Sequence, residues 1–473
     1  MRENRPFVHF FFLSNDIYML DVNTNVISKV NRNIYEYINS SEHMGNIEES
    51  DLQLITNMRN QGLLKPSNIK KIEHPMTEYI EDIVNNNMKK ITLQVTQNCN
   101  FRCEYCVYSG SYHNRIHNNK RMDWETAKAA LDFLFMHSKN SSEIAVSFYG
   151  GEPLLEIELI ERCVNYTKDK FRGKKINFGL TTNASLLNDD IIRYMSEENF
   201  FLTISIDGPK EVHDKNRKYA DSKRGTFNTV MLNVQRIKDI SPSFVENLSL
   251  NAVLDDENDF KKINDFFKNN LTVKDIAVST TYINQTNRKI ELKNYNERNY
   301  IEICREKFRA MMCLLKRLPK ECVSKIIRRE VMDIGRVIHE RTIAEEVIGV
   351  KAHPGGPCVP GAHKPFVSAY GKLYPCERVN ETCDEMCIGN IYDGFNVESI
   401  KRLLNIGQIT ASTCANCWAF NFCTQCCIAA DDGEKISASK RLCSCDRIRN
   451  SIENMIKDYI VLRELGCDFL VKF

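Results

Sequence analysis

Nineteen cysteines in 473 residues, gathered into spaced sets, constrain this chain more than any other feature. Three fall at 99–106, as Cys99, Cys103 and Cys106 in CNFRCEYC, and eleven fall between 358 and 445. In a chain without a secretion signal, thiols grouped at ligand spacing argue for bound metal rather than disulfides. The one candidate signal, FVHFFFL (7–13) after Arg2 and Arg5, contains His9 and runs into SNDIYMLDV with no small-residue cleavage site. It is read as a strand. No run of about 18 apolar residues occurs, so the expectation is a cytoplasmic protein with no membrane partner. The charge balance of +2 provides no field that would gather nucleic acid. The basic stretch KRLPKECVSKIIRRE (316–330) is read as a solvated helix face.

Hydrophobic patterning divides the chain. Residues 1–85 alternate apolar and polar, with two short strands joined through Asn-rich turns and then helices in NRNIYEYINS and DLQLITNMRNQGLLKP. This predicts a small winged-helix-like module, with Pro66 and Pro75 bracketing its exit. From 86 to 288, strand-like runs recur at ITLQVT (91–96), IAVSFYG (144–150), INFGLTTN (176–183), FLTISID (201–207), LSLNAVL (248–254) and DIAVSTTY (275–282). Amphipathic stretches separate them. Six β–α repeats predict an α/β partial (β/α)6 TIM barrel of parallel strands with right-handed crossovers. Residues 289–352 are expected to be a helical connector. The segment 353–473 is rich in Gly, Pro and Cys, has little periodicity before a last helix at 447–465, and is expected to fold around metal.

The C-x3-C-x2-C loop falls just past the first barrel strand, at the end where parallel barrels place their chemistry. Three thiolates on one loop can hold three irons of a cubane and leave the fourth open. A structural zinc would want a fourth ligand, usually from a second C-x2-C pair. A zinc loop or reduced structural thiols are the plain alternatives.

This loop, followed one β–α unit later by GGEP (Gly150, Gly151, Glu152, Pro153), resembles the radical S-adenosylmethionine (radical SAM) superfamily. The resemblance implies a [4Fe–4S] cluster on Cys99, Cys103 and Cys106 whose open iron binds SAM. It also implies a 5′-deoxyadenosyl radical that abstracts hydrogen. Glycines in GGEP would let backbone carbonyls approach the methionine amino group. By the same resemblance Asn183 (TTNA), Ser205 and Asp207 (SIDGP) and Arg217 (HDKNR) line the SAM pocket, although such residues also end strands and cap helices. His213 is read as structural.

In the C-terminal segment, Cys358, Gly371 and Cys376 give C-x12-G-x4-C, and Cys414, Cys417, Cys423 and Cys427 give C-x2-C-x5-C-x3-C, with Cys443 and Cys445 beyond. The pattern is similar to the SPASM extension of radical SAM peptide-modifying enzymes, which holds two auxiliary [4Fe–4S] clusters. It implies one cluster on Cys358, Cys376 and Cys427, and another on Cys414, Cys417, Cys423 and Cys445, with Cys443 as the alternative. The sulfatase-maturing branch has a ligand six residues past the first of these cysteines, where this chain has Lys364. The first auxiliary cluster would then have an open iron able to take a substrate thiolate, or it would borrow Cys383 or Cys387. Of the remaining thiols, Cys163, Cys304, Cys313, Cys322 and Cys467 read as small apolar fillers in helices, and Cys426 has no assignment. Glu377 stands where the sulfatase branch carries an aspartate base; it could take a substrate proton or be a turn residue paired with Arg378.

The N-terminal module resembles the recognition domain of enzymes that modify ribosomally made peptides, where a leader adds a strand to a sheet edge. Its alternative is a wing that only packs on the barrel. Together these resemblances imply a maturase that uses a radical to link cysteine sulfur to carbon in a precursor peptide. A flavodoxin- or ferredoxin-type reductant would feed it. Formylglycine formation in a sulfatase and carbon–carbon cross-linking are the rival reactions. An iron–sulfur electron carrier or a zinc-binding protein is the rival class, and neither explains GGEP and SIDGP at strand ends. No Ser-His-Asp order, Walker loop or dinucleotide fingerprint is present.

Overall fold

Alternating apolar residues set the first strands. In a computed structural model, which describes residues 5–40, 47–108, 111–112, 117–284, 288–289, 296–344, 346–356 and 358–469, Val8–Leu13 (β1), Asp16–Asp21 (β2) and Ile27–Val30 (β3) form an antiparallel sheet in that order. Arg2 lies outside the described residues. The pattern predicted two strands and the structure has three. β3 is only four residues long, too short for its alternation to stand out, but the chain reverses at Asn25 (φ +60°) and pairs Ile27 with Leu20. The period of two sends Tyr18 and Leu20 to the main core and Met19 to a smaller one with Val30, Ile34, Ile55, Leu63 and Leu64. Helices Arg32–Asn39 and Glu49–Asn60 supply that smaller core.

The six predicted barrel strands are present: Lys90–Thr96 (β4), Glu143–Gly150 (β5), Lys175–Thr182 (β6), Phe200–Ser205 (β7), Leu248–Leu254 (β8) and Ala277–Tyr282 (β9). Each pairs in parallel with the next. Helices connect them because the intervening periods are 3.6. In Trp124–His137, Ala127, Ala130, Leu131 and Leu134 are buried on one stripe, and the Asp123 carboxylate caps the first turn by accepting from Thr126 N at 2.8 Å.

The sheet does not stop at β4. Phe366–Val367 (β10) adds in parallel to β4, pairing Phe366 with Thr92, and Lys372–Tyr374 (β11), Gly389–Asn390 (β12) and Gly394–Phe395 (β13) extend it antiparallel. The cysteine-rich segment is therefore hydrogen-bonded to the strand whose end carries Cys99. Strands of two or three residues leave no periodicity to read.

Two expectations need correction. The basic stretch 316–330 is not a helix face: it holds a short 3-10 turn at Lys320–Cys322, the helix begins only at Arg328, and Val323, Ile326 and Ile327 are buried. Its alternation of basic and apolar residues serves a loop pinned through its apolar members. Among the filler cysteines, Cys163 and Cys313 are buried, but Cys304 is exposed and Cys467 lies beyond the last helix, Cys445–Glu464. Among the described residues, no helix is long and apolar enough to cross a membrane.

Candidate radical and cluster sites

The ends of β4, β5, β6 and β7 meet at one face. Past β4 the backbone turns out through Asn98 and Cys99, and the cysteine loop zips against residues 216–220: Arg102 N donates to Lys218 O at 2.8 Å, and Ala220 N to Asn100 O at 2.9 Å. Phe101 meets Tyr219 edge-on. Cys99, Cys103 and Cys106 are close enough to repel one another as thiolates. Burial pushes the Cys99 thiol up to about 12, with Glu152 adding to the effect, and raises Cys103 as well against the opposing pull of Arg217. Such thiols call for a cation to hold them as thiolates, and three soft donors on one loop suit an iron–sulfur group. Among the described residues, no three His, Cys, Asp or Glu side chains converge as a site for one metal ion.

GGEP packs directly on this loop. Gly151 N donates to Thr96 O and Glu152 N to Asn98 O, each at 2.9 Å. A Cβ on Gly150 would fall 2.0 Å from Thr96 O, and one on Gly151 would fall 2.0 Å from Asn98 O. The glycines thus let two strand ends touch. Glu152 is fully buried; its carboxylate accepts from Thr182 Oγ1 (2.6 Å), Asn183 N (2.7 Å) and Leu154 N (3.1 Å), and burial raises it to about 7. It ties β5 to β6. Pro153, also buried, opens the turn that follows.

Asn183 Nδ2 donates to Asn100 Oδ1 at 2.8 Å and lies 3.8 Å from Cys99 Sγ. Ser205 ends β7, half-buried. Asp207 and Arg217 are both buried and face each other, Nε to Oδ2 at 3.0 Å and Nη2 to Oδ1 at 3.1 Å. Tyr105 OH, from between Cys103 and Cys106, donates to the same carboxylate at 2.5 Å. Asp207 and Arg217 thus brace the cysteine loop, with Arg217 lending its charge to Cys103. His213 is structural, as expected: Nδ1 accepts from Asp207 N and Nε2 meets Thr226 Oγ1 at 2.9 Å.

The C-terminal cysteines form two sets. Cys358, Cys376 and Cys427 lie within one another's fields, with Cys427 and Cys376 buried and Cys358 exposed. Beside them Lys364 Nζ stands 3.2 Å from Glu377 Oε1, closer than Arg378 Nε at 3.8 Å. Neither Cys383 nor Cys387 joins: Cys383 is buried beside Glu385 and Asp431, and Cys387 Sγ donates to Gly389 O at 3.3 Å. Cys426 is the thiol that does, hydrogen-bonded to Cys427 and within the field of Cys358. In the second set, Cys414, Cys417 and Cys423 sense each other. Gln425 Nε2 reaches Cys445 Sγ at 3.7 Å, whereas Cys443 is exposed.

Sequence reasoning missed Tyr105 and Glu381. Gln94 Nε2 reaches Glu381 at 3.0 and 3.1 Å, and Tyr108 OH donates to Glu381 at 3.1 Å, so the C-terminal segment is tied to β4 and to the chain just past the cysteine loop. Tyr105 could have been found from its place between two motif cysteines; Glu381 carried no signal.

Residues 93–269 match the radical SAM superfamily. A cysteine-type anaerobic sulfatase-maturating enzyme of Clostridium novyi is 34% identical over 155 residues, 31% of this chain and 40% of that protein. The radical SAM cyclopropyl synthase TigE of Paramaledivibacter caminithermalis is 27% identical over 152 residues, 30% of this chain and 32% of that protein. The chain thus aligns with less than half the length of these curated relatives. The structure of native anSMEcpe with bound AdoMet and Cp18Cys peptide superposes with a TM-score of 0.56 at 19% identity, over 80% of this chain and 99% of that one, a likeness of fold.

Proposed function

We propose that this chain, whose residues 93–269 match the radical SAM superfamily, matures a ribosomally made peptide by joining cysteine sulfur to carbon. Cys99, Cys103 and Cys106 would hold a [4Fe–4S] cluster, with Asn183 and Ser205 at the strand ends facing SAM. Bound there, cluster and SAM would supply a 5′-deoxyadenosyl radical that removes one hydrogen atom from the peptide. Glu152, Asp207 and Arg217 fix the cysteine loop against β5, β6 and β7. Glu381, held by Gln94 and Tyr108, ties the C-terminal segment to the barrel beside the cysteine loop.

The observation that carries this reading is the exposed corner at Cys358. Cys358, Cys376 and Cys427 would hold an auxiliary cluster offering a soft site for sulfur, and Lys364 stands in the position of a fourth cysteine. Glu377, next to Cys376, would take the thiol proton. Each link costs the peptide two hydrogens, one as an atom to the deoxyadenosyl radical and one as that proton, and the electron left when the C–S bond forms would pass to the auxiliary cluster.

Cys426 favours a second reading. As a fourth thiolate it would close the first set, which suits oxidation of a cysteine or serine to formylglycine, in line with the sulfatase-maturating relatives. Peptide substrates are common to both readings. The leader would add to an outer strand of the β1–β3 sheet, and a cytoplasmic flavodoxin or ferredoxin would supply electrons.

The test is anaerobic reconstitution followed by SAM, dithionite and a leader–core peptide. 5′-Deoxyadenosine formation that rises when the leader is present supports the reading. A chain that binds zinc and leaves SAM intact contradicts it.

A further inference from the structure

We propose that Arg441 is the countercharge of the auxiliary iron–sulfur sites: buried between the two C-terminal cysteine sets, its guanidinium donates to sulfur there and raises the reduction potential of the groups they hold. The inference rests on the auxiliary-cluster reading above. Arg441 is 1% exposed, and Nε, Nη1 and Nη2 are all buried without a hydrogen-bond partner among the described residues. A guanidinium carries five N–H donors and does not give up its proton. Buried cations are found paired, since an unpaired one is strongly destabilising. So complete a lack of partners in a side chain this buried points to an anionic acceptor.

The surroundings say which acceptor. Cys423, of the second set, and Cys426, beside Cys427 of the first, both feel the charge of Arg441. Its backbone is anchored at the same place. Ser437 caps its helix, and Gln425 Nε2 donates to Arg441 O at 3.1 Å while also reaching Cys445 Sγ. Thiolate-bound clusters are anions whose sulfurs accept N–H bonds, and such bonds and nearby charge set their potentials. The reduced cluster carries one more negative charge, so a buried cation favours it.

The full chain with Cys99, Cys103 and Cys106 replaced by alanine isolates the auxiliary sites. Iron and sulfide are counted after anaerobic reconstitution, and the electron paramagnetic resonance signal of the reduced clusters is followed in a redox titration. With Arg441 present the chain holds about eight irons. In Arg441→Met the midpoint moves to more negative potential at unchanged iron content, and in Arg441→Lys it moves back toward the parent. If Arg441→Met does not load, loading restored by Lys and not by Gln supports the same conclusion; restored by both or by neither, it overturns it. An unmoved midpoint in a fully loaded Met variant overturns the inference alone. A parent that holds no iron overturns the auxiliary reading and the inference with it.

Discussion

Lys364 Nζ lies 3.2 Å from Glu377 Oε1, and the pair stands beside Cys358 and Cys376. A sequence position that carries a cluster ligand in the sulfatase branch is thus occupied by a cation bound to the candidate base. A partly exposed pair of this kind contributes at most about 1 kcal/mol to stability, so substitutions there report on chemistry rather than folding. Glu377→Gln is expected to slow peptide modification by about 10²–10⁴-fold while 5′-deoxyadenosine still forms. Rate measurements by mass spectrometry beside nucleoside quantification check this; parallel loss of both would give Glu377 a different role.

Gly151 has no room for a side chain, its Cβ position being 2.0 Å from Asn98 O. Gly151→Ala must push GGEP off the cysteine loop, at a cost of about 1–3 kcal/mol. The fold is expected to survive, with far-ultraviolet circular dichroism unchanged. Iron retention at Cys99, Cys103 and Cys106 and SAM binding by equilibrium dialysis are expected to fall by at least about tenfold.

The Asp207–Arg217 pair is buried and bidentate. Removing one partner strands the other charge, so Asp207→Asn is expected to destabilise the chain by about 3–5 kcal/mol. Combining it with Arg217→Met is expected to recover a large part of that loss. Anaerobic urea titration of the four members of the cycle measures the coupling, and simple additivity of the two losses would show that the pair does not act as a unit.

His213 is held neutral, its pKa lowered from 6.5 to about 4 by burial first and the charge of Arg217 second. A group with a depressed folded pKa contributes stability that is present above the unfolded value and lost as pH falls through the folded one. Relative to His213→Gln, the native chain is therefore expected to lose about 3 kcal/mol as pH drops from 6.5 to 4. Glu152, raised to about 7 by its own burial, acts in the opposite sense, its contribution fading as pH rises from 4.5 to 7. Comparing the variant with the native chain at each pH removes that background; parallel pH curves would contradict the burial argument.

The barrel was legible because each strand is long enough to show its run and each crossover long enough to show its helical period. LSLNAVL, read as a strand over 248–254, occupies Leu248–Leu254. β3 and β10–β13 were not legible, because two to four residues hold no period and their partners are distant in sequence. Spacing marked the thiols as candidates and the family resemblance grouped them, but neither pointed to Cys426, which pairs with Cys427. Partners such as Tyr105 with Asp207, or Lys364 with Glu377, depend on how loops fold back, and spacing carries no record of that. Glu152 marks the boundary: its motif was visible, but only the structure shows its carboxylate consumed by Thr182, Asn183 and Leu154.

Sulfur-to-carbon linkage is the central claim, and the mass of the peptide product tests it most directly. The reconstituted chain is incubated anaerobically with SAM, dithionite and a leader–core peptide bearing accessible cysteines, and the product is then treated with an alkylating reagent. The account predicts a loss of about two mass units per link, one hydrogen atom and one thiol proton, with the linked cysteines inert to alkylation. The same mass loss with every thiol still alkylated would contradict it in favour of carbon–carbon linkage, and conversion of a cysteine to an aldehyde would contradict it in favour of formylglycine formation.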